Sequence, residues 1–167
     1  EIAIKTGAKI FRGPRDNKLL RWLLCCRAFG LTKIHTVDAD DPFFCGDEVK
    51  RSFEMLNCGY NFVSPTISSA NGGATVGYSI HRQALELVCR HLGVGDDTEM
   101  MWTLFEGVDG VAKAVLPEPK HAIITQRMTL DYWEDYIFLS AIREIVGSLA
   151  SRETIWQILR KNPDLAK

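Results

Sequence analysis

The stretch KIHTVDADDPFFCGDEVKRSFEMLNCG, residues 33–59, carries the signals on which the fold prediction is based. Its first part, KIHTVDA (33–39), predicts a β-strand. Its last part, residues 46–59, has apolar residues three and four positions apart and acids in the first turn, which predicts an amphipathic helix. A strand that leads through an acidic turn into a helix is typical of α/β proteins.

Strand and helix signals alternate along the rest of the chain in the same way. Further helices are predicted at residues 1–7, 17–30, 82–93, 98–107, 132–147 and 152–161. Further strands are predicted at 8–11, 60–65, 74–81, 110–117 and 121–130, and a polar, glycine-bearing loop at 66–73. The alternation predicts a layered α/β fold with a mostly parallel sheet, in which ligands bind beyond the carboxyl ends of the strands.

Composition limits the classes of protein to consider. The chain has 167 residues, 20 basic and 21 acidic, and a formal net charge of −1. A balanced charge argues against nucleic acid or an anionic membrane as a partner. The five cysteines show no metal-ligand spacing and predict free thiols in a reducing compartment, which here means the cytoplasm.

The acidic turn has two interpretations. On a strand, Asp38 and Asp40 point to the same side, and Pro42 then ends the strand. Two carboxylates at a strand end suit Mg²⁺, which takes oxygen ligands and completes its shell with water and phosphate. The alternative is a structural turn over Asp40, Asp41 and Pro42 ahead of the next helix.

A second acidic stretch, QRMTLDYWEDY (126–136), ends another predicted strand at Asp131. One interpretation is a capping box, with Asp131 as N-cap and Glu134 three residues later. The other makes Asp131 a second metal carboxylate, with Arg127 close enough to meet a phosphate. The two interpretations are compatible.

Several segments together resemble a known family. They are IFRGPRDNKLLRW (10–22), VDADDPFF (37–44), YNFVSP (60–65), RMTLDYWEDYIFLSAI (127–142) and ILRKNPDL (158–165). In this order they resemble the cytidylyltransferases of the spore-coat polysaccharide biosynthesis type. That family is related to the synthetases that make CMP-activated sugar acids, the CMP-KDO and acylneuraminate enzymes.

The resemblance implies a nucleotide-diphospho-sugar transferase-like fold of three layers. Residues 1–167 would form one nucleotidyltransferase-like domain, about the C-terminal two thirds of the family's length. The family's first strand and its basic phosphate loop would be lacking, in line with a chain that opens inside a helix. The family uses CTP to activate a sugar or sugar acid, releases pyrophosphate, and serves surface polysaccharide biosynthesis.

The resemblance also assigns residues. Asp40 and Asp131 would hold Mg²⁺ or Mn²⁺, and Arg127 would join them as a catalytic residue. Nucleotide binding would fall to the residues that match the family's Arg-Gly segment and the helix after it: Arg12, Gly13, Asp16 and Arg21. Without the phosphate loop, these 167 residues by themselves are expected to bind CTP weakly or not at all.

The chain departs from the family at Thr75 and Gly77, where the family carries acids. Two alternatives therefore stay open. One is a glycosyltransferase that uses Asp38-Ala39-Asp40 as a D-x-D motif for a nucleotide-sugar. The other is a truncated, non-catalytic homologue that acts as a binding or assembly module. The apolar segment 132–147 fits a homodimer face or a buried core helix equally well.

Overall fold

A computed structural model describes residues 2–147 and 150–166. The chain forms two compact units, each made of two segments. The first comprises Glu1–Ile34 and Ile80–Ala112, and the second comprises His35–Ser79 and Lys113–Lys167. The single domain over residues 1–167 stays a prediction, as do the three layers and the lack of a first strand and phosphate loop.

Helices and strands interleave along the chain, as predicted. The helices are α1 (Ile2–Lys5), α2 (Lys18–Phe29), α3 (Gly46–Asn57), α4 (Arg82–Val88), α5 (Trp133–Val146) and α6 (Arg152–Lys161). The strands are β1 (Lys33–His35), β2 (Phe62–Ser64), β3 (Ser79–His81) and β4 (Lys113–Val115). Short 3-10 turns span Cys89–His91, Met101–Phe105 and Pro163–Ala166, and a wider turn spans Ser69–Gly73. Among the helices described, none is long and apolar enough to cross a membrane.

The four strands form one sheet in the order β1-β3-β2-β4. β2 and β4 are parallel, in a register that pairs Val63 with Ala114. In sequence, β2 leads to β3 through the Ser69–Gly73 turn, with no long crossover helix between them. Parallel neighbours need such a crossover, so this connection favours an antiparallel return.

β1 and β3 run in opposite directions. Thr36 N donates to Tyr78 O at 2.9 Å, and Arg82 N donates to Thr32 O at 2.8 Å. Residue numbers therefore increase along one segment while those of the paired residues decrease along the other, which is the antiparallel pattern. The sheet is therefore mixed and mostly antiparallel. The prediction of a mostly parallel sheet is wrong.

The first unit is built on two packed helices. α2 begins at Asn17, whose side chain accepts a hydrogen bond from Leu20 N, and ends at Gly30 in the left-handed conformation, as predicted. It packs against α4. The buried apolar residues of this unit are Leu19, Leu23, Cys26, Ile80, Ala84, Leu85, Val88, Met101 and Phe105. The helix predicted at 82–93 is shorter, because α4 ends at Val88 and a 3-10 turn follows. The α-helix predicted at 98–107 is wrong, since this segment forms only the 3-10 turn Met101–Phe105.

The second unit has two apolar clusters. In one, α3 and β2 contribute Leu56 and Val63. In the other, α5 and α6 pack together, with Leu139, Ile142 and Ile155 buried. Ser151 is the N-cap of α6, and its hydroxyl accepts a hydrogen bond from Thr154 N at 3.1 Å.

A buried ion pair connects α3 and α6 in the second unit. Glu48 and Arg152 form a salt bridge, and their side chains are 2% and 7% exposed. Thr75 Oγ1 donates to Glu48 Oε2 at 2.8 Å, and Arg152 Nε donates to Ala122 O at 2.7 Å. Arg152 also reaches Ser68 Oγ at 3.3 Å. Because charges so deeply buried need partners, this pair holds the Ser68–Thr75 segment and residue 122 against both helices.

Two predicted strands are absent from the part of the chain that the structure describes. Residues 8–11 and 121–130 have no strand conformation. Residues 121–130 make backbone hydrogen bonds to two different segments. Met128 N donates to Gly72 O and Leu130 N donates to Asp40 O, both at 2.8 Å. No ladder with a single partner strand forms, although the side-chain pattern suits one.

His35 is fixed at the end of β1 by hydrogen bonds to both ring nitrogens. Gly77 N donates to Nε2 at 3.2 Å, so Nδ1 carries the proton and donates to Ser79 Oγ at 2.7 Å. Burial lowers the pKa of His35 to about 4. The histidine is therefore neutral at pH 7 in the folded chain.

This shift predicts a specific pH dependence of stability. The unfolded histidine binds a proton near pH 6.5 and the folded one near pH 4, so the contribution of His35 is complete above pH 6.5 and is lost as the pH falls toward 4. As the pH falls from 6.5 to 4, the free energy of unfolding, measured by chemical denaturation, should decrease less in His35→Gln than in the parent chain. His91→Gln, at an exposed histidine, is the control and should behave like the parent. If the free energy of unfolding changed with pH in the same way in the parent and in His35→Gln, the lowered pKa of His35 would be contradicted.

Candidate active site

The Asp38–Asp41 segment is a turn. β1 ends at His35, and Asp41 N donates to Asp38 O at 3.2 Å. Beyond the strand, Thr36 N still donates to the carbonyl oxygen of Tyr78, the residue before β3. The expectation that Asp38 and Asp40 point to the same side of a strand is therefore wrong, because the chain turns between Asp38 and Asp41. Metal binding by this turn stays a prediction.

Two hydrogen bonds bring the segment that ends at Asp131 against this turn. Leu130 N donates to Asp40 O at 2.8 Å, and Thr129 Oγ1 donates to Asp41 Oδ1 at 3.0 Å. Asp131 follows directly after these two residues. The two acidic stretches, which are 90 residues apart in sequence, therefore meet in the second unit.

The meeting of these stretches perturbs Asp41. Burial raises the pKa of Asp41 to about 6, while the hydrogen bond from Thr129 acts to lower it. The negative charges of Asp40, Asp38 and Asp131 raise it further. A carboxyl group with a pKa near 6 among three other carboxylates marks a place where positive charge would be stabilised.

Arg127 supplies a positive charge next to the carboxylates of Asp131 and Asp135. Its guanidinium forms a salt bridge with Asp131 and lies 3.4 Å from Asp135 Oδ1. It also lies over the ring of Tyr132, 5.5 Å from the centroid. Arg127 and Asp131 are each about half exposed, so a ligand can reach both.

The acid that caps α5 is one residue later than predicted. Asp135 Oδ2 accepts from Asp131 N at 3.0 Å and from Tyr132 N at 2.9 Å. These bonds, with the positive charge of Arg127, hold the pKa of Asp135 below its usual value. The predicted capping box of Asp131 and Glu134 is wrong: Tyr132 is the N-cap, and Asp135 is the third helical residue. The side chain of Asp131 is thereby left to pair with Arg127.

The predicted nucleotide-binding residues all lie in the first unit. Arg21 Nη1 donates to Pro14 O at 2.8 Å and to Arg15 O at 2.7 Å, so Arg21 holds the loop that precedes α2. A Cβ on Gly13 would lie 3.0 Å from the ring of Phe11, which explains a glycine in this loop.

The remaining two residues of that set are on the surface. Arg12 is exposed, and Asp16 forms only a long, solvent-exposed pair with Arg15 at 3.8 Å. Asp16 contributes its backbone, since its carbonyl accepts from Thr98 N at 3.2 Å. The role of Arg12, Gly13, Asp16 and Arg21 in nucleotide binding stays a prediction.

The two departures from the family pattern have structural causes. Thr75 is 1% exposed and bonded to the Glu48–Arg152 pair, where an acid would add a second carboxylate. A Cβ on Gly77 would lie 2.2 Å from Thr36 O, so no side chain fits there. In this chain, side chains at positions 75 and 77 are therefore not available to a ligand.

The capacity of the cluster for a metal is modest. Among residues 2–147 and 150–166, no three His, Cys, Asp or Glu side chains are grouped so as to hold an ion by themselves. Mg²⁺ commonly uses only one or two carboxylates and takes the rest of its shell from water and substrate phosphate. Binding of a metal in that mode by Asp40 and Asp131 stays a prediction.

Two members of this cluster were not identified from the sequence. The sequence predicts Asp41 only as part of a structural turn and assigns it no role in a site. Thr129 gave no signal beyond its place in the RMTLD segment, because its bond to Asp41 joins residues far apart in sequence.

Comparison with solved structures shows that the chain has the fold of a cytidylyltransferase. The structure to which it is similar is titled "Structure of a Cytidylyltransferase from Leptospira borgpetersenii serovar Hardjo-bovis (strain JB197)". The TM-score is 0.84 at 18% sequence identity, over 99% of this chain and 71% of that one. No protein-family model matches the sequence, and no curated protein is significantly similar to it.

The pKa of Asp41 offers a test of how close the carboxylates lie. Asp131→Asn and Asp40→Asn should each lower this pKa below about 6, because each removes a repelling charge. Thr129→Val should raise it, since the stabilising hydrogen bond is lost. Carboxyl ¹³C NMR titration measures the change, and Asp109→Asn, in the first unit, is the control. An unchanged pKa in Asp131→Asn would show that the two segments do not meet.

Proposed function

We propose that this protein is a cytidylyltransferase that activates a sugar or sugar acid with CTP. The observation that carries the proposal is the hydrogen bond from Leu130 N to Asp40 O, which brings two acidic segments together in a chain with a cytidylyltransferase fold. The resemblance of the surrounding motifs to the spore-coat type and to the CMP-sugar-acid synthetases supports the same reaction.

In this reaction, a hydroxyl oxygen of the sugar attacks the α-phosphorus of CTP. The new sugar O–P bond forms as the bond from the α-phosphorus to the bridging oxygen breaks, and pyrophosphate leaves with the electron pair. The hydroxyl proton passes to solvent or to a nearby carboxylate. The protein's task is to orient the phosphates and offset their growing charge.

Asp40 and Asp131 are the proposed ligands of Mg²⁺ or Mn²⁺. When bound, the metal supplies positive charge against the phosphate oxygens. Asp41, held by Thr129, adds to the negative potential of this turn. The excess of carboxylates over cations in the cluster is what supports a cation site here.

Arg127 has a second proposed task. Its salt bridge to Asp131 occupies the carboxylate that the metal would need, and the pair is half exposed. Asp135 gives Arg127 another partner at 3.4 Å. We therefore propose that Arg127 leaves Asp131 when substrate binds and turns its guanidinium to a phosphate, while Asp135 keeps it nearby.

The nucleotide-binding residues are proposed from the first unit. Arg12 is the exposed cation of the loop, and Gly13 allows the backbone to turn tightly beside Phe11. Arg21 fixes the loop through carbonyl oxygens, and Asp16 bonds to Thr98. A loop fixed in this way is suited to a phosphate or ribose group.

A role in surface polysaccharide biosynthesis and a cytoplasmic location are part of the proposal. The first is supported by the motif resemblance. The second is supported by CTP as substrate and by five free thiols.

The activity test measures pyrophosphate release. The complete gene product, incubated with CTP, Mg²⁺ and a panel of sugars and sugar acids, should release pyrophosphate with at least one acceptor. Asp40→Asn and Asp131→Asn should each lower kcat/KM by about 100-fold, a loss of about 2.7 kcal/mol of transition-state stabilisation. Asp109→Asn, a carboxylate in the first unit, should retain activity.

The same panel separates the alternatives. Transfer from a nucleotide-sugar that depends on Asp38 and Asp40 would favour the D-x-D glycosyltransferase. Mn²⁺ and CTP binding, measured by water-proton relaxation, without turnover of any acceptor would favour the binding module. Full activity in both Asp40→Asn and Asp131→Asn would remove the proposed site.

A further inference from the structure

A cavity of about 500 Å³ lies in the second unit, between the start of α3 and the start of α6. Its walls are formed by residues 42–48, 51, 119, 121–122 and 150–153. Among the residues that the structure describes, this lining includes neither Arg127 nor the carboxylates of the acidic cluster. The volume falls within the roughly 300–1,000 Å³ of small-molecule sites. Two of the wall segments follow β1 and β4, and ligands of open α/β sheets bind beyond the carboxyl ends of strands.

The cavity combines an apolar wall with a few charged groups. Pro42, Phe44, Pro119 and Ala122 supply apolar surface. The half-buried ring of Phe44 packs edge-on against the ring of His35, with centroids 5.9 Å apart, so its orientation is fixed. An apolar wall with a small number of placed polar groups is typical of a site for a small organic molecule.

The two guanidinium groups of the lining already have partners. Arg152 pairs with Glu48, and their side chains are 7% and 2% exposed. Arg51 Nη2 donates to Pro117 O at 2.8 Å, and Asp47 lines the cavity one helical turn before Arg51. With histidine counted as uncharged, the lining holds three carboxylates and two guanidinium groups. The cavity therefore offers no excess of positive charge to an anionic ligand.

The amino-terminal ends of α3 and α6 do not change this balance. Such helix ends favour negative charge, but the protein supplies that charge itself. The first turn of α3 contains Asp47 and Glu48, and the first turn of α6 contains Glu153. A carboxylate or phosphate of a ligand would have to compete with these three acids. The charges of the cavity thus disfavour an acidic ligand.

Glu153 leaves one acceptor of the lining without a donor. Its Oε1 accepts a hydrogen bond from Gln157 Nε2 at 2.9 Å. Its Oε2 is buried, and no donor in the part of the chain that the structure describes bonds to it. Buried polar atoms of proteins nearly always have a hydrogen-bond partner. A hydroxyl or amino group of a ligand in the cavity would supply the donor that Oε2 lacks.

We propose that this cavity binds a sugar that carries hydroxyl or amino donors and no carboxylate. One donor of the sugar bonds to Glu153 Oε2, and the apolar face of the ring packs against Phe44. A sugar acid is rejected, because its carboxylate would meet Asp47 and Glu153 without a free guanidinium to offset the repulsion. This binding rests on the cavity alone and does not depend on the proposed reaction.

The bound sugar is the acceptor in the proposed reaction, a step that rests on the proposed function. Pro42 lines the cavity and directly follows Asp41, two residues after the proposed metal ligand Asp40. The cavity and the acidic turn are therefore joined by a short stretch of one segment in one unit. A neutral or amino sugar, and not a sugar acid, would then supply the hydroxyl that attacks CTP.

NMR titration of the ¹⁵N-labelled complete gene product tests this proposal with matched probes. The probes are glucose, mannose and galactose, their 2-amino derivatives and their uronic acids. In at least one series, the neutral or amino sugar should shift the amide signals of Gly46 and Glu153, which line the cavity. Its dissociation constant should lie about 10-fold or more below that of the uronic acid, because like charges repel the latter.

Glu153→Gln should raise the dissociation constant of the neutral sugar about 10-fold, since a hydrogen bond to a charged group is lost. The same variant should reduce the discrimination against the uronic acid, because it removes a repelling charge. A folding defect would weaken every sugar alike and would leave this discrimination unchanged. Glu54→Gln, at an exposed glutamate of α3 outside the cavity, is the matched control and should change neither value.

Three results would overturn the proposal: no amide shift in any series, a uronic acid that binds as tightly as its neutral sugar, or an unchanged dissociation constant in Glu153→Gln. A pyrophosphate assay separates this proposal from the proposed function. Sugar binding in the cavity without pyrophosphate release from CTP would support the sugar site and contradict the reaction. Release with sugar acids alone would support the reaction and overturn the sugar site.

Discussion

The second unit depends on the buried ion pair of Glu48 and Arg152. Removal of one partner from such a pair typically costs about 3–5 kcal/mol, because the other charge is left without compensation in the interior. α3 and α6, which carry the two charges, are therefore held in a fixed relation. Thr75 and Ala122 bond to the same pair, so segments from four parts of the sequence are fixed by one interaction.

The candidate site lies at the ends of these fixed segments. α3 follows the Asp40 turn closely, and the segment after Ala122 reaches Leu130, which bonds back to Asp40. The ion pair thus fixes the segments that lead into the two acidic stretches. This also explains why position 75 holds a threonine, since its hydroxyl serves the ion pair and does not face a ligand.

Features that depend on local sequence were predicted well. α2, α3, α5 and α6 lie within a few residues of their predicted bounds, because helical periodicity and caps such as Gly30 and Ser151 are local signals. The direction of the strands and the conformation of residues 121–130 were predicted wrongly, since they depend on backbone partners far away in sequence. The candidate site shows the same division: Asp40 and Asp131 were predicted from motifs, whereas the hydrogen bond between Thr129 and Asp41 could be found only in the fold.

The central claim is that the Asp40 turn and Asp131 form one metal-dependent nucleotide site. Anomalous diffraction from crystals grown with Mn²⁺ and a non-hydrolysable CTP analogue tests it most directly. The account predicts one manganese peak bound by carboxylate oxygens of Asp40 and Asp131, with Arg127 released from Asp131 and turned to a phosphate. A manganese peak elsewhere with the Arg127–Asp131 salt bridge intact would contradict it.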